Sequence, residues 1–328
     1  MLSKKSALWG VVVALSLGTA AQAAVTFVAD YSGDGANEGF NDPTYGVQRK
    51  AAFQFALNIW GTKLQNSYAG ETVRVLATFD PLGGSASSAT LGQAGPVGSI
   101  ANFSPPANPK YQTSTWFAAA LANHIKQSDM YTAGMGNEIS ATFNSDVDNS
   151  TVLGTSDFYY GTDGNAGSDS DFISVVLHEI AHGLGFTGTI KSDGSYNSSL
   201  PSIYDRFLEN GGNALTGMSN AQRVAAIKSN ALYWTGADGT AANGNTQIQM
   251  YAPTTYSAGS SIYHVDQSLT DLMAPIYQGV NHSPSARDLG ILSDIGWDLA
   301  PVPEPASLAV IGLLAAGQML RRRGRRGV

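Results

Sequence analysis

The chain has 328 residues, 43% of them hydrophobic, enough to bury a sizeable core in one large domain or two small ones. It has no cysteine, which excludes disulfides, thiolate metal ligands and a cysteine nucleophile, so any metal falls to Asp, Glu or one of 5 histidines. The net charge is −7, and residues 24–301 are more acidic still, because Lys4, Lys5, Arg321, Arg322, Arg323, Arg325 and Arg326 cluster at the ends; this argues against a nucleic-acid partner.

Lys4 and Lys5 precede an apolar run over 7–17 and then Ala21-Gln22-Ala23, the layout of a secretory signal peptide cleaved after Ala23. Asn41-Asp42-Pro43 has the chemistry of a helix start, and Ala52, Phe53, Ala56, Ile59, Trp60 and Leu64 recur at helical spacing over 47–64. Residues 72–79 are rich in β-formers and predict a strand. The stretch 80–112, rich in Gly, Ser, Ala and Pro, predicts a long surface excursion. A helix is expected over 114–125, with His124 structural on it. Strands are expected over 139–143 and 158–160, the first as the sheet edge that would pair with an extended substrate. Helices and strands mix without a regular βαβ rhythm, so the class is α+β.

Residues 171–184 read DFISVVLHEIAHGL. Ser168, Asp169 and Ser170 are capping candidates, and Phe172, Val175, Val176 and Ile180 form an apolar side. His178 and His182 share one helical face, about 6 Å apart at Cβ, and can bind one Zn²⁺ from the same side. Glu179 is rotated about a third of a turn away and can reach a water at the metal without binding the metal itself, the place of a catalytic base. Gly183 and Gly185 let the chain leave the helix sharply.

Catalytic zinc takes three protein ligands and keeps one position open. In the common metzincin pattern the third His lies three residues past the second glycine, which here is Gly188, unable to ligate. Two candidates remain. His264 precedes Asp271-Leu272-Met273-Ala274-Pro275, and Asp205 offers a carboxylate, although an Asp205–Arg206 pair also reads as structural. His282 follows the Met273 segment and is a weaker candidate.

HEIAHGLGF over 178–186, the distant His264, the Leu-Met-Ala-Pro turn and DLGILSDIGW over 288–297 together resemble zincin-type, and more narrowly leishmanolysin-type, metallopeptidases. The resemblance implies a twisted mixed sheet, an active-site helix and a C-terminal helical subdomain. It implies zinc on His178, His182 and His264, with Met273 as an apolar floor that is not a ligand. It does not cover an insertion over about 187–262, where one helix, 220–234, is expected with Ser219 as its cap. Those relatives are disulfide-rich and carry propeptides; this chain has no cysteine, and 24–41 leaves little room for a propeptide. Tyr277, just past the turn, is a possible oxyanion donor.

Val302-Pro303-Glu304-Pro305, an apolar run over 306–320 and the arginine cluster resemble a PEP-CTERM sorting signal. This implies an exosortase-type partner, a transient transmembrane anchor and delivery to the surface or matrix of a Gram-negative bacterium. The expected organisation is a signal (1–23), one catalytic unit (24–301) and a sorting segment (302–328). The expected activity is zinc-dependent endopeptidase action on protein or peptide. A non-catalytic matrix or adhesion protein on the same scaffold is the alternative, and hydrolysis of a non-peptide amide a third reading. Acidity leaves room for calcium, though no calcium-loop signature is present.

Overall fold

The computed structural model of the protein describes residues 23–130 and 136–301. Strand β1 (Thr26–Asp30) leads through helix α1 (Gly46–Lys63) into β2 (Thr72–Asp80), which lies parallel to β1. Asp42 starts the crossover, its carboxylate accepting the Thr44 and Tyr45 amides at 2.7 Å. Ala52, Phe53, Ala56 and Trp60 are buried on α1, with Leu57 added to the stripe. Along β2 the side chains alternate, Val73, Val75, Ala77 and Phe79 facing the core.

The stretch expected as a surface excursion contributes β3 (Gly92–Pro96) and β4 (Ser99–Ile100), the latter paired with β5 (Phe117–Ala118) ahead of α2 (Ala119–Lys126). β6 (Ile139–Asn144) completes a mixed sheet of order β1-β2-β6-β3, in which β3 alone is antiparallel to its neighbour. The sequence reading placed 139–143 at the edge; it is an interior strand, and β3 holds the edge instead. Gly-Gln-Ala-Gly-Pro lacks β-formers and reads as loop, yet its small residues let it lie close to the next helix. A Cβ at Gly92 would come within 3.1 Å of Glu179 Cγ and of the Phe143 ring.

β7 (Phe158–Tyr159) pairs in parallel with β8 (Ser170–Asp171), which runs directly into α3 (Phe172–Gly183). The cap is Asp171, whose carboxylate accepts the Ser174 amide at 2.8 Å, and not one of the three residues before it. α1 packs on β1, α3 packs on β6 and β3, and the two helices touch. Trp60 Nε1 donates to Leu177 O at 3.1 Å, and Phe40, Phe53, Phe79, Phe143 and Phe172 fill the space between layers.

The insertion holds β9 (Leu208–Asn210), β10 (Asn213–Ala214), α4 (Asn220–Ala226), β11 (Leu232–Trp234), α5 (Ala237–Ala242) and β12 (Ile248–Met250). Its strands form a second, antiparallel sheet of order β10-β9-β11-β12, which the sequence did not lead one to expect beside the helices of the C-terminal part. Ser219 caps α4 in a capping box with Gln222, as its position suggested. The helix stops well short of 234: Ser229 Oγ takes the Ala226 carbonyl, and Asn230 turns left-handed at φ 54°. Helix α6 (Ala286–Ile295) packs on α5, and Trp297 Nε1 donates to Leu184 O at 2.8 Å, tying the chain end to the end of α3. No helix among the described residues is long and apolar enough to cross a membrane. The apolar runs read as signal and tail anchor lie outside the described residues.

Candidate metal centre

His178 and His182 project from α3 toward a cleft, and His264 reaches the same point from the chain leaving the second sheet. His264 is held from both sides: the Tyr251 amide donates to its carbonyl at 2.9 Å, and the next amide, Val265, donates to Met273 O at 3.0 Å. Ile262, wholly buried two residues earlier, has φ 81°, a left-handed conformation that costs a β-branched residue free energy and persists only where packing imposes it.

The three Nε2 atoms lie 3.0 Å (His178–His264), 3.2 Å (His178–His182) and 3.2 Å (His182–His264) apart. Each Nδ1 faces a main-chain carbonyl: Leu272 O at 2.7 Å, Phe186 O at 2.8 Å and Ser260 O at 2.8 Å for His178, His182 and His264. A carbonyl only accepts, so each ring carries its proton on Nδ1 and turns an Nε2 lone pair toward the other two. Three acceptors at that separation cannot hydrogen-bond to one another; a cation among them removes the repulsion. Burial pushes all three imidazoles toward the neutral form, His182 down to about 3 with His178 adding to the effect, and His264 well below its ordinary value. Among the described residues this triad is the group able to hold a metal ion.

Glu179 lines the same cleft and is 7% exposed. Burial pushes its carboxyl up to about 8, opposed by the hydrogen bond it accepts from the Ala94 amide of β3. The carboxylate therefore sits between the metal helix and the sheet edge, where a cation would draw it back toward the charged form.

Gly188, the position of a closely spaced third His, has no room for a side chain: a Cβ would run into Asp205 Oδ1 and come within 2.7 Å of the Tyr263 ring. Asp205 is not brought to the three histidines. Its Oδ2 accepts the Thr189 amide, Thr189 Oγ1 and the Ser202 amide, each at 2.8 Å, and Oδ1 is buried without a partner. Asp205 thus buttresses the loop under Tyr263 and His264. It does not pair with Arg206, which bonds Thr115 Oγ1 and the Thr113 and Ser114 carbonyls. His124 is buried against Glu71 at 2.8 Å and Trp297. His282 bonds Asp171 at 2.8 Å, at the opposite end of α3.

Met273 is wholly buried and does not line the cleft. Tyr277 lines the wall, but its hydroxyl accepts the Asp171 amide at 2.8 Å, about 10 Å along the helix axis from His178. The phenol oxygen is thus held at the first turn of α3, while its O–H still has a proton to donate. Sequence reasoning missed Asp288. Its carboxylate accepts the Leu272 amide at 3.3 Å and the Met273 amide at 3.4 Å, and so fixes the turn whose Leu272 carbonyl orients His178. The capping box Ser285-x-x-Asp288 was the available signal.

The cleft runs between residues 86–94 on one side and 258–260, 263–264, 270–272 and 274–281 on the other, and among the described residues no Lys or Arg lines it. The family described as SPBPB7E8-like matches residues 135–240, which include β6, α3 and much of the insertion and stop short of His264. The PEP-CTERM protein-sorting motif matches residues 301–326. That motif is recognised by exosortase and marks a bacterial protein for export and surface sorting. No curated protein matches the chain.

Proposed function

We propose that this protein is a zinc-dependent endopeptidase with a zincin-like catalytic domain of leishmanolysin-type layout, sorted to the cell surface. The observation that carries the reading is the convergence of three Nε2 lone pairs, each locked by a main-chain carbonyl, beside a buried Glu179. The donor set fits zinc. A tetrahedral ion with bonds of 2.0–2.1 Å spaces its nitrogens about 3.3–3.4 Å apart, close to the 3.0–3.2 Å found. Three protein donors also leave a position for water or substrate, unlike a closed structural site.

Zinc held by His178, His182 and His264 would supply a Lewis acid for the scissile carbonyl and make a water nucleophilic near neutral pH. Glu179 takes the proton of the attacking water and returns it to the leaving amine, and its place between α3 and β3 keeps it within the cleft and shielded from bulk solvent. β3 ends the sheet, so its outer edge, apart from the Ala94 amide that Glu179 takes, is open to pairing with an extended peptide. Opposite it, the segment after Met273 offers Ile276, Tyr277 and Val280 as an apolar wall.

The test is cleavage of a mixed peptide library by the chain from Ala24 onward, beside its Glu179→Ala variant, with and without a zinc chelator. Cleavage that disappears in the variant and with chelator supports the proposal, and the cut sites report its preference. Folded, zinc-loaded protein that cleaves nothing refutes it. The sorting motif would then favour a matrix or adhesion role on the same scaffold, or hydrolysis of a non-peptide amide.

A further inference from the structure

The cleft wall opposite β3 has no helix or strand from Ala274 to Ser285. Even so, it holds Ile276, Tyr277 and Val280 at 61%, 36% and 44% exposure, three of the large apolar side chains that the fold leaves to solvent. A strap without regular structure keeps such side chains in one place only if its backbone is tied down. The ties converge on the first turn of α3. The Asp171 amide donates to Tyr277 Oη at 2.8 Å, and the Asn281 amide donates to Ser174 Oγ at 2.7 Å. Ser174 Oγ in turn donates to Asp171 Oδ1 at 2.6 Å, and His282 Nε2 donates to the same oxygen at 2.8 Å. Asp171 is wholly buried, ends β8 and caps α3.

We propose that Asp171, with His282 as its partner, is the positioning residue that sets the strap 274–282 against the metal helix and so shapes the subsite for one large apolar substrate side chain. The pin stands on the geometry alone; the subsite rests on the endopeptidase reading. The residue that starts the helix carrying His178 and His182 also holds the wall, so wall and metal ligands keep one fixed register. Asp171 precedes His178 by about 10 Å along the helix axis, the reach of about three extended residues. The wall therefore serves positions within about three residues of the scissile bond. In an extended peptide alternate side chains face the same way, so the strap reads one residue and leaves its neighbours unread. Truncating His282 leaves Asp171 as the helix cap and removes the imidazole donor facing its buried carboxylate.

The test uses the exported chain carrying His282→Ala or His282→Gln, a peptide with a large apolar residue facing the wall, and the same peptide with alanine there. His282→Ala is expected to raise KM for the apolar peptide about ten-fold, the scale of one hydrogen bond to a charged group. kcat is expected to stay within about two-fold, the alanine peptide to change little, and zinc content to be unchanged. His282→Gln, which keeps a donor, is expected to recover most of the loss. Amide exchange over 276–281 should quicken in His282→Ala while that over 176–184 stays constant. Unchanged exchange and KM, or equal damage from Ala and Gln, overturns the proposal. If the parent chain cleaves no peptide, the endopeptidase reading fails by itself, and amide exchange still decides whether the pin exists.

Discussion

Replacing Asp288 tests how firmly the turn behind the histidines is held. Asp288 is wholly buried and accepts the Leu272, Met273 and Ser285 amides at 3.3, 3.4 and 2.8 Å. Asp288→Ala leaves two buried donors and one part-buried donor without an acceptor, each costing about 1–3 kcal/mol if nothing relaxes. The two long bonds sit at the weak end of that range, so a total of about 3–5 kcal/mol is expected. Asp288→Asn keeps one acceptor oxygen and should cost less than half as much. The second consequence is on the metal. Leu272 O receives the His178 Nδ1 proton at 2.7 Å, and a loosened turn frees that ring. Groups that orient a ligand in this way change metal affinity by about 10–100-fold when lost. Urea unfolding measures the first effect and zinc competition with a chromophoric chelator the second. If Asp288→Ala is destabilised as expected but binds zinc like the parent, the turn holds Leu272 unaided and the reasoning fails.

Two further outcomes follow from burial and packing. In metal-free protein, Glu179 is pushed up to about 8 from 4.5, so its contribution to stability is full below the unfolded value and is lost as pH rises through the folded one. The parent should therefore lose several kcal/mol of unfolding free energy relative to Glu179→Gln between about pH 4.5 and 8 in chelator, and parallel profiles for the two would contradict the assigned environment. Gly188→Ala should destabilise by about 1–3 kcal/mol, because its Cβ meets Asp205 and the Tyr263 ring. A neutral result by thermal unfolding would mean that the loop under His264 yields.

Much of the metal helix was legible in the chain. His178, Glu179 and His182 lie within one helical turn and a half, so the 3.6-residue period alone places them. Ser219 was legible as a cap for the same reason, its partner being the third residue on. Misreadings arose where pairing overrode composition. β3 has the residues of a loop and becomes a strand because β6 offers it an edge and α3 leaves space only for small side chains. Leu232–Trp234 was absorbed into a helix because three residues are too few to show alternation.

By itself the sequence determined the local chemistry: absence of thiols, two histidines and a glutamate on one helix, a sorting motif at the C-terminus, and a glycine where a nearby third ligand would stand. The choice between His264 and Asp205 as neighbour to that helix belonged to the tertiary structure. Both lie far along the chain, and separation in sequence carries no distance. The second sheet decides it, by pairing Met250 with Val265 and so presenting His264, while Asp205 spends its oxygens on the amides of its own loop. The Asp171–His282 pin and the Asp288 support are of the same kind. Each joins residues that only packing brings within hydrogen-bond range, and no local period or propensity encodes such a meeting.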